Sequence, residues 1–253
     1  MKNDSQPLMV SIRCLVYNHE RYIRQCLEGF VMQRTNFRFE AIVHDDASTD
    51  GTVDIITSIM EEDNRIKLYH NPKQSGAAAS RNRSVKNASG KYIAFLDSDD
   101  VWKPNKLEKQ ISFMEKNNYY FTCTSYDKID ENGKKLGIVI PSISVDYEGL
   151  LRRCPGNSTV IYNCEKLGKF SVPLIKKRND YLMWMQVIKK AKQIDGLDEV
   201  LSSHRIVSNS ISSKKTTLVK YHWIVYRDYE KLSVLKSGYL CMYWIAKSVF
   251  KIK

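Results

Sequence analysis

The chain has 253 residues, 43% hydrophobic and 27% charged, and its 40 Lys and Arg against 28 Asp and Glu leave a net charge of +12. This is ordinary globular composition, which speaks against a disordered chain and suits one sizeable α/β core, alone or with a small appendage. The positive balance favours an anionic partner, whether a nucleotide, a nucleic acid or an acidic membrane surface, without choosing among them.

Residues 8 to 16, LMVSIRCLV, read as a strand that stops at YNHE. RYIRQCLEGFVMQ then sets Tyr22, Ile23, Cys26, Leu27, Phe30 and Val31 at helical spacing. FRFEAIVHDD is a second strand, and STDGTVDIITSIMEED a helix with Asp50 or Ser48 as its N-cap. RIKLYH is a third strand, GAAASRNRSVKNA a third helix closed by Ser89-Gly90, and KYIAFL a fourth strand. This alternation predicts a parallel, doubly wound sheet, in which ligands bind beyond the carboxyl ends of the strands. Tyr17-Asn18, Asp45-Asp46 and Asp97 to Asp100 all fall at such ends.

Past residue 103, KPNKLEKQISFMEKN is a helix with Pro104 in its first turn, and YYFTCTSYDKID a strand. ENGKKLGIVIP forms a hairpin around Asn132-Gly133, and STVIYN is a short strand. DYLMWMQVIKKAKQ is a helix starting at Asp180 or Asn179. With no internal repeat and no low-complexity linker, the chain reads as one domain over 1–214 and a basic, aromatic helical tail over 215–253. The scattered cysteines (Cys14, Cys26, Cys123, Cys154, Cys164 and Cys241) have no metal-like spacing and read as core thiols. The first residues lack an apolar stretch of signal-peptide length, and no run reaches the roughly 20 apolar residues of a membrane span. A reduced, cytoplasmic protein is expected.

The stretch LDSDDVW gathers carboxylates behind a buried strand, at the mouth of the expected crevice. A D-x-D pair there brings hard oxygen ligands to Mg²⁺ or Mn²⁺, which bridges the phosphates of a nucleotide. Taken in order, VSIRCLVYNHERYIRQCLEGFVMQ, FEAIVHDDASTDGT, RNRSVKNASGKYIAFLDSDDVWKPNKLEKQI and NDYLMWMQVI resemble the motifs of glycosyltransferase family 2. The resemblance implies a GT-A fold, a nucleoside-diphosphate-sugar donor, a divalent metal and transfer with inversion. By the same resemblance, Tyr17 is the ring on which the base stacks, Asp46 the carboxylate that accepts the base N–H and Asp45 its support. Asp97 approaches the ribose or the metal shell, Asp99 is the metal ligand, and Arg81 and Asn82 reach toward base or phosphates. Asp100 and Trp102 hold the loop.

An inverting transfer needs a general base on the acceptor side. The resemblance points to Asp180, with Asn179 where relatives often have an acid. Val207 stands where relatives often have a His, and His204 does not fall at that place, so it reads as structural or exposed.

The tail mixes Tyr221, Trp223, Tyr239 and Trp244 with Lys220, Lys236 and Lys247, which suits the headgroup zone of an anionic membrane or packing back on the domain. Its pattern also resembles bacterial enzymes of O-antigen and capsule synthesis. That likeness implies a UDP-hexose donor, glucose or galactose, and an undecaprenyl-diphosphate-linked acceptor at the inner face of the cytoplasmic membrane, with a β-linkage formed. A catalytically inactive relative is the alternative, on account of Asn179 and Val207. A nucleic-acid-binding domain is disfavoured because carboxylates crowd the rim, and a nucleotidyltransferase because no Gly-rich N-terminal loop is present.

Overall fold

A computed structural model of the chain describes residues 7–141, 144–207 and 215–250, with side chains of the last segment described over 218–247. The first half runs β1 (Leu8–Val16), α1 (Glu20–Val31), β2 (Arg38–Asp45), α2 (Thr52–Glu62), β3 (Ile66–His70), α3 (Ala77–Asn87) and β4 (Tyr92–Asp97). These strands lie in the order β3-β2-β1-β4, all parallel. Along β1 the side chains alternate: Val10, Ile12, Cys14 and Val16 enter a core with α1 and α2, while Arg13 turns to Ser84 of α3. Because the chain reverses its progress across the sheet after β3, α3 crosses on the opposite face and a crevice opens at the ends of β1 and β4.

The second half contains β5 (Val101–Trp102), α4 (Lys106–Asn117), β6 (Phe121–Ile129), β7 (Lys135–Val139), β8 (Ser144–Asp146) and α5 (Tyr147–Leu150). A 3-10 turn at Asn157–Thr159 leads to β9 (Ile161–Asn163), α6 (Cys164–Leu167), α7 (Asn179–Ala191) and β10 (Gln193–Arg205). Then come α8 (Lys215–Ile224), a π-helical turn over Val225–Tyr229 and α9 (Val234–Phe250). β9 pairs antiparallel with β4 and β6, β10 runs parallel to β6, and β7 pairs with the end of β6. Two cores result. Val10, Ile12, Phe30, Leu107 and Met114 fill one, and Phe95, Phe121, Tyr162 and Trp184 the other. Trp184 meets Phe95 edge-on at 4.7 Å, a pairing worth about 0.5–1.5 kcal/mol beyond area burial.

Some local expectations change. The N-cap of α2 is Gly51, and Asp50 serves the first turn from one residue earlier, accepting the Thr52 amide at 3.1 Å. α7 starts at Asn179 behind Arg178, whose backbone is left-handed (φ 64°), so Asp180 lies inside the first turn and does not cap it. Gly90 follows α3 because of a close approach: a Cβ there would stand 2.6 Å from the Ser11 amide nitrogen. β10 is absent from the sequence reading. QIDGLDEVLSSHR has no clean alternation, and its register slips twice between Leu197 and Ser202.

The tail's inner face packs on the domain. Val225, Tyr226, Leu240 and Cys241 are buried in the same core as Phe95 and Tyr181. Trp244 stacks on His222 at 4.5 Å, and its Nε1–H donates to the Tyr226 hydroxyl at 2.9 Å. Its other face stays open, with Leu235, Tyr239 and Met242 exposed. No helix among the described residues is long and apolar enough to cross a membrane.

Candidate active site

The loops after β1 and β2 staple each other. Asn18, left-handed at φ 50°, accepts the Thr49 amide on Oδ1 at 2.8 Å and donates its own N–H to Ser48 Oγ at 2.9 Å. Glu20 Oε2 accepts the Gly51 amide at 2.7 Å. This leaves Tyr17 at the rim with 41% of its surface exposed.

Asp45 and Asp46 at the end of β2 are both buried. Asp45 Oδ2 accepts the Ser48 amide at 3.1 Å and lies 2.8 Å from His70 Nδ1. Asp46 is enveloped. Its Oδ1 takes bonds from Asn71 Nδ2 (2.8 Å), the Ser75 amide (2.8 Å), Ser75 Oγ (2.9 Å) and Ser80 Oγ (3.1 Å). Its Oδ2 takes the Gly76 amide at 2.8 Å. Burial alone would raise this carboxyl, but the bonds from Ser75, Asn71 and Gly76 outweigh it and hold the pKa below the ordinary value. Asp46 therefore fixes the loop leading into α3, with spare acceptor capacity remaining on Oδ2.

Asp97 Oδ1 accepts Asn157 Nδ2 at 2.6 Å, and the Asp97 amide donates to Ser158 Oγ at 2.9 Å. Asp100 is fully buried and holds the loop, accepting Ser158 Oγ (2.6 Å) and the Arg205 amide (2.9 Å) and facing His204 Nδ1 at 3.1 Å. Trp102 Nε1–H donates to the Ser158 carbonyl at 2.7 Å. Asp99 is half-buried, and burial together with Asp100 and Asp97 pushes its pKa up to about 7. The same crowding acts oppositely on His204: burial lowers its pKa, yet Asp100, Asp97 and Asp99 raise it to about 9.

Arg81 lies buried on α3, its Nε–H donating to Asn179 Oδ1 at 2.8 Å and Nη1 to Asn157 Oδ1 at 3.3 Å. Burial lowers its pKa while the charges of Asp180 and Asp97 oppose the drop. Asn82, expected near the substrate, is instead turned away. It exchanges bonds of 2.8 Å with the backbone N–H and C=O of Val172, tying α3 to the segment before α7. Asp180 is half-buried beside this junction, within the field of Arg81 but not on the cleft wall.

A cleft of about 610 Å³ joins these groups. Tyr17, His19, Asp46, Arg81, Asp97 and Asp99 are on its wall, with Ser75 and Gly76 on one side and Leu174 to Lys176 on another. The sequence reading missed several contributors. His19 faces Ser98 Oγ at 2.7 Å, and Asn157 joins Arg81 to Asp97. Arg13 lies fully buried beneath, its guanidinium 5.3 Å from the Phe95 ring and both terminal nitrogens without a hydrogen-bond partner among the described residues. An arginine inside an otherwise apolar strand was the available signal for that position.

Among the described residues no three His, Cys, Asp or Glu side chains close into a metal cage. A Mg²⁺-type site needs no such cage, since one or two carboxylates share the ion with substrate phosphates. The donor set fits such an ion: Asp99 puts hard oxygens on the cleft wall, and its crowding with Asp97 and Asp100 is the repulsion a cation relieves. Val207, after β10, adds no ligand.

Residues 11–172 match the family described as Glycosyl transferase family 2. The chain belongs to glycosyltransferase family 2. WfgD of Escherichia coli, named as a UDP-Glc:alpha-D-GlcNAc-diphosphoundecaprenol beta-1,3-glucosyltransferase, is 37% identical over 238 residues, covering 93% of this chain and 92% of its own. TuaG of Bacillus subtilis, assigned provisionally to teichuronic acid biosynthesis, is 37% identical over 245 residues and 96% of each chain. The crystal structure of S. aureus TarS 1-349 in complex with UDP-GlcNAc superposes with a TM-score of 0.72 at 20% identity, over 95% of this chain and 73% of that one. The likeness to TarS is one of fold, and the α/β architecture with a mostly parallel central sheet is the GT-A arrangement the sequence motifs implied. The family-2 chain is thus a glycosyltransferase by descent as well as by motif.

Proposed function

We propose that this family-2 chain is an inverting, metal-dependent transferase. It moves a hexose, glucose or galactose, from its UDP-sugar to a saccharide on undecaprenyl diphosphate, for O-antigen or capsule assembly. The observation that carries the reading is the cleft itself, which brings Tyr17, Asp46, Arg81, Asp97 and Asp99 together at the ends of β1, β2 and β4. The name of WfgD supports UDP-glucose as donor, a lipid diphosphate acceptor and a β-linked product.

In this reading the exposed Tyr17 ring stacks on the uracil. Asp45 steadies the loop beneath it, and Asp46 sets the wall at Ser75-Gly76 and offers Oδ2 to the base N–H. Asp97 meets the ribose, and Arg81 adds positive potential under the diphosphate. Asp99 and Asp97 would hold Mn²⁺ or Mg²⁺, which supplies charge neutralisation to the departing diphosphate. Asp180 takes the proton of the acceptor hydroxyl as its oxygen attacks the anomeric carbon and UDP departs from the other face. The enzyme works at the inner face of the cytoplasmic membrane, with the outer face of α9 and its lysines against anionic lipid. The tail that the sequence sets off from residue 215 then packs on the domain by one face and meets the membrane by the other, and no nucleic acid is involved.

Isothermal titration with UDP, GDP and CMP, with and without Mn²⁺, tests this directly. Mn²⁺-dependent binding of UDP alone is expected. Absence of binding by any nucleotide would favour the inactive relative.

A further inference from the structure

The hairpin of β6 and β7 and the residues just after it carry exposed aliphatic side chains. Leu136, Ile138 and Ile140, at alternate positions, are 56%, 63% and 64% exposed. Burial is the usual fate of such side chains, and a contiguous exposed group marks a surface with a partner. Among the described residues β7 pairs only with β6, and these side chains stay exposed.

The hairpin is fastened to the catalytic loop. Arg205 donates Nε–H to the Asp99 carbonyl at 2.9 Å and Nη1 to the carbonyls of Asp130 and Glu131 at 3.2 Å. Arg21 pairs with Glu131 at 3.1 Å. The Asn132-Gly133 turn is closed by Asp130 Oδ1, which accepts the amides of Asn132 and Lys134, each at 2.9 Å. The apolar edge thus stands in fixed relation to Asp99.

Two features argue against a strand of a second copy as the occupant. The pairing slips between Lys128 and Ile129, a bulge opposite Leu136, and Lys134 and Lys135 are exposed at the tip. Bulges and edge lysines are what natural sheets use to refuse edge pairing. The side chains, not the backbone edge, are therefore the binding feature. Acidic groups of the turn are already engaged, whereas Lys134 at the exposed tip has no carboxylate partner among the described residues. Aliphatic side chains beside an unpaired cation at the tip complement an anionic lipid surface.

We infer that the β6–β7 hairpin is a lipid-docking flap, which sets Leu136, Ile138 and Ile140 into the surface of an anionic bilayer and so holds the cleft over a lipid-linked acceptor. This deepens the proposed function and rests on its acceptor. The flap places the acceptor's head group on the Asp99 side of the cleft while its chain stays in the bilayer.

The test is co-sedimentation of the whole protein with vesicles of phosphatidylglycerol and phosphatidylethanolamine, and of phosphatidylcholine alone. Wild type is compared with the triple variant Leu136→Ser, Ile138→Ser, Ile140→Ser and with the single variant Ile138→Asn. The triple variant should lose binding to the anionic vesicles by about tenfold or more, with unchanged melting temperature and UDP affinity. A Lys134→Glu variant should lose the preference for phosphatidylglycerol. Unchanged sedimentation of the serine variant overturns the flap, as does a wild-type dimer that the same substitutions split into monomers. If the triple variant is unstable, Ile138→Asn alone decides by the same readout. Failure of the wild-type protein to bind UDP would sink the donor reading, while sedimentation still decides the flap.

Discussion

Arg81 donates its Nε–H to Asn179 Oδ1 across 2.8 Å, joining α3 to the first residue of α7 beneath the cleft. An acid at position 179 would make this contact a buried ion pair; the amide makes it a hydrogen bond to a charged donor. Asn179→Ala should strand a buried guanidinium and cost about 1–3 kcal/mol, read as a lowered Tm, and turnover should fall with it. Asn179→Asp should retain the fold. Equal Tm for all three proteins would remove the contact from the account.

Asp99 and Asp180 stand on different elements and should fail differently. Asp99→Ala should abolish Mn²⁺-dependent UDP binding and turnover together. Asp180→Asn should leave UDP affinity intact and reduce kcat by about 10²–10⁴-fold. Titration calorimetry and radiolabelled sugar transfer measure the two, and an equal loss of UDP binding in both variants would overturn the separate roles.

His222 is buried with neither ring nitrogen hydrogen-bonded among the described residues, and burial, reinforced by Arg178, lowers its pKa to about 3. The folded value lies below the unfolded one, so the unfolded chain takes the proton first. Stability from this neutral ring is present above about pH 6.5 and is lost as pH falls toward 3. His222→Leu should flatten the decline of Tm across that window, and parallel Tm curves for variant and wild type would show that another group governs it.

Removing the chain from residue 218 onward strips Tyr226, Leu240 and Trp244 from the core, so the product should be insoluble or lack a cooperative melt. Leu235→Ser, Tyr239→Ser and Met242→Ser act on the exposed face only and should each change stability by about 0.5 kcal/mol or less, while weakening association with anionic vesicles. Vesicle binding equal to wild type in the triple variant would leave α9 without a membrane role.

Much of the first half was legible in the sequence because period and function coincide there: strands end where polar residues begin, and those ends meet in one cleft. What stayed hidden depends on distant partners. Nothing local marks Asp46 as the acceptor of five donors, since Asn71, Ser75, Gly76 and Ser80 reach it only after β3 pairs with β2. β10 lacked periodicity because it changes neighbours along its length, with β8 at one end and β5 at the other. Asn82 looked available for substrate by its place on the helix, yet the backbone of Val172 claims it.

The burial of Tyr226, Leu240 and Trp244 against Leu151 and Tyr181 has a consequence for synthesis on the ribosome. The half of the core that holds the start of α7 has no complete partner until the residues around Trp244 have emerged. The nascent chain can form its β1–β4 half early, but the candidate base acquires its final surroundings only when translation is nearly done. The side of the cleft next to α7 is thereby the last to be completed.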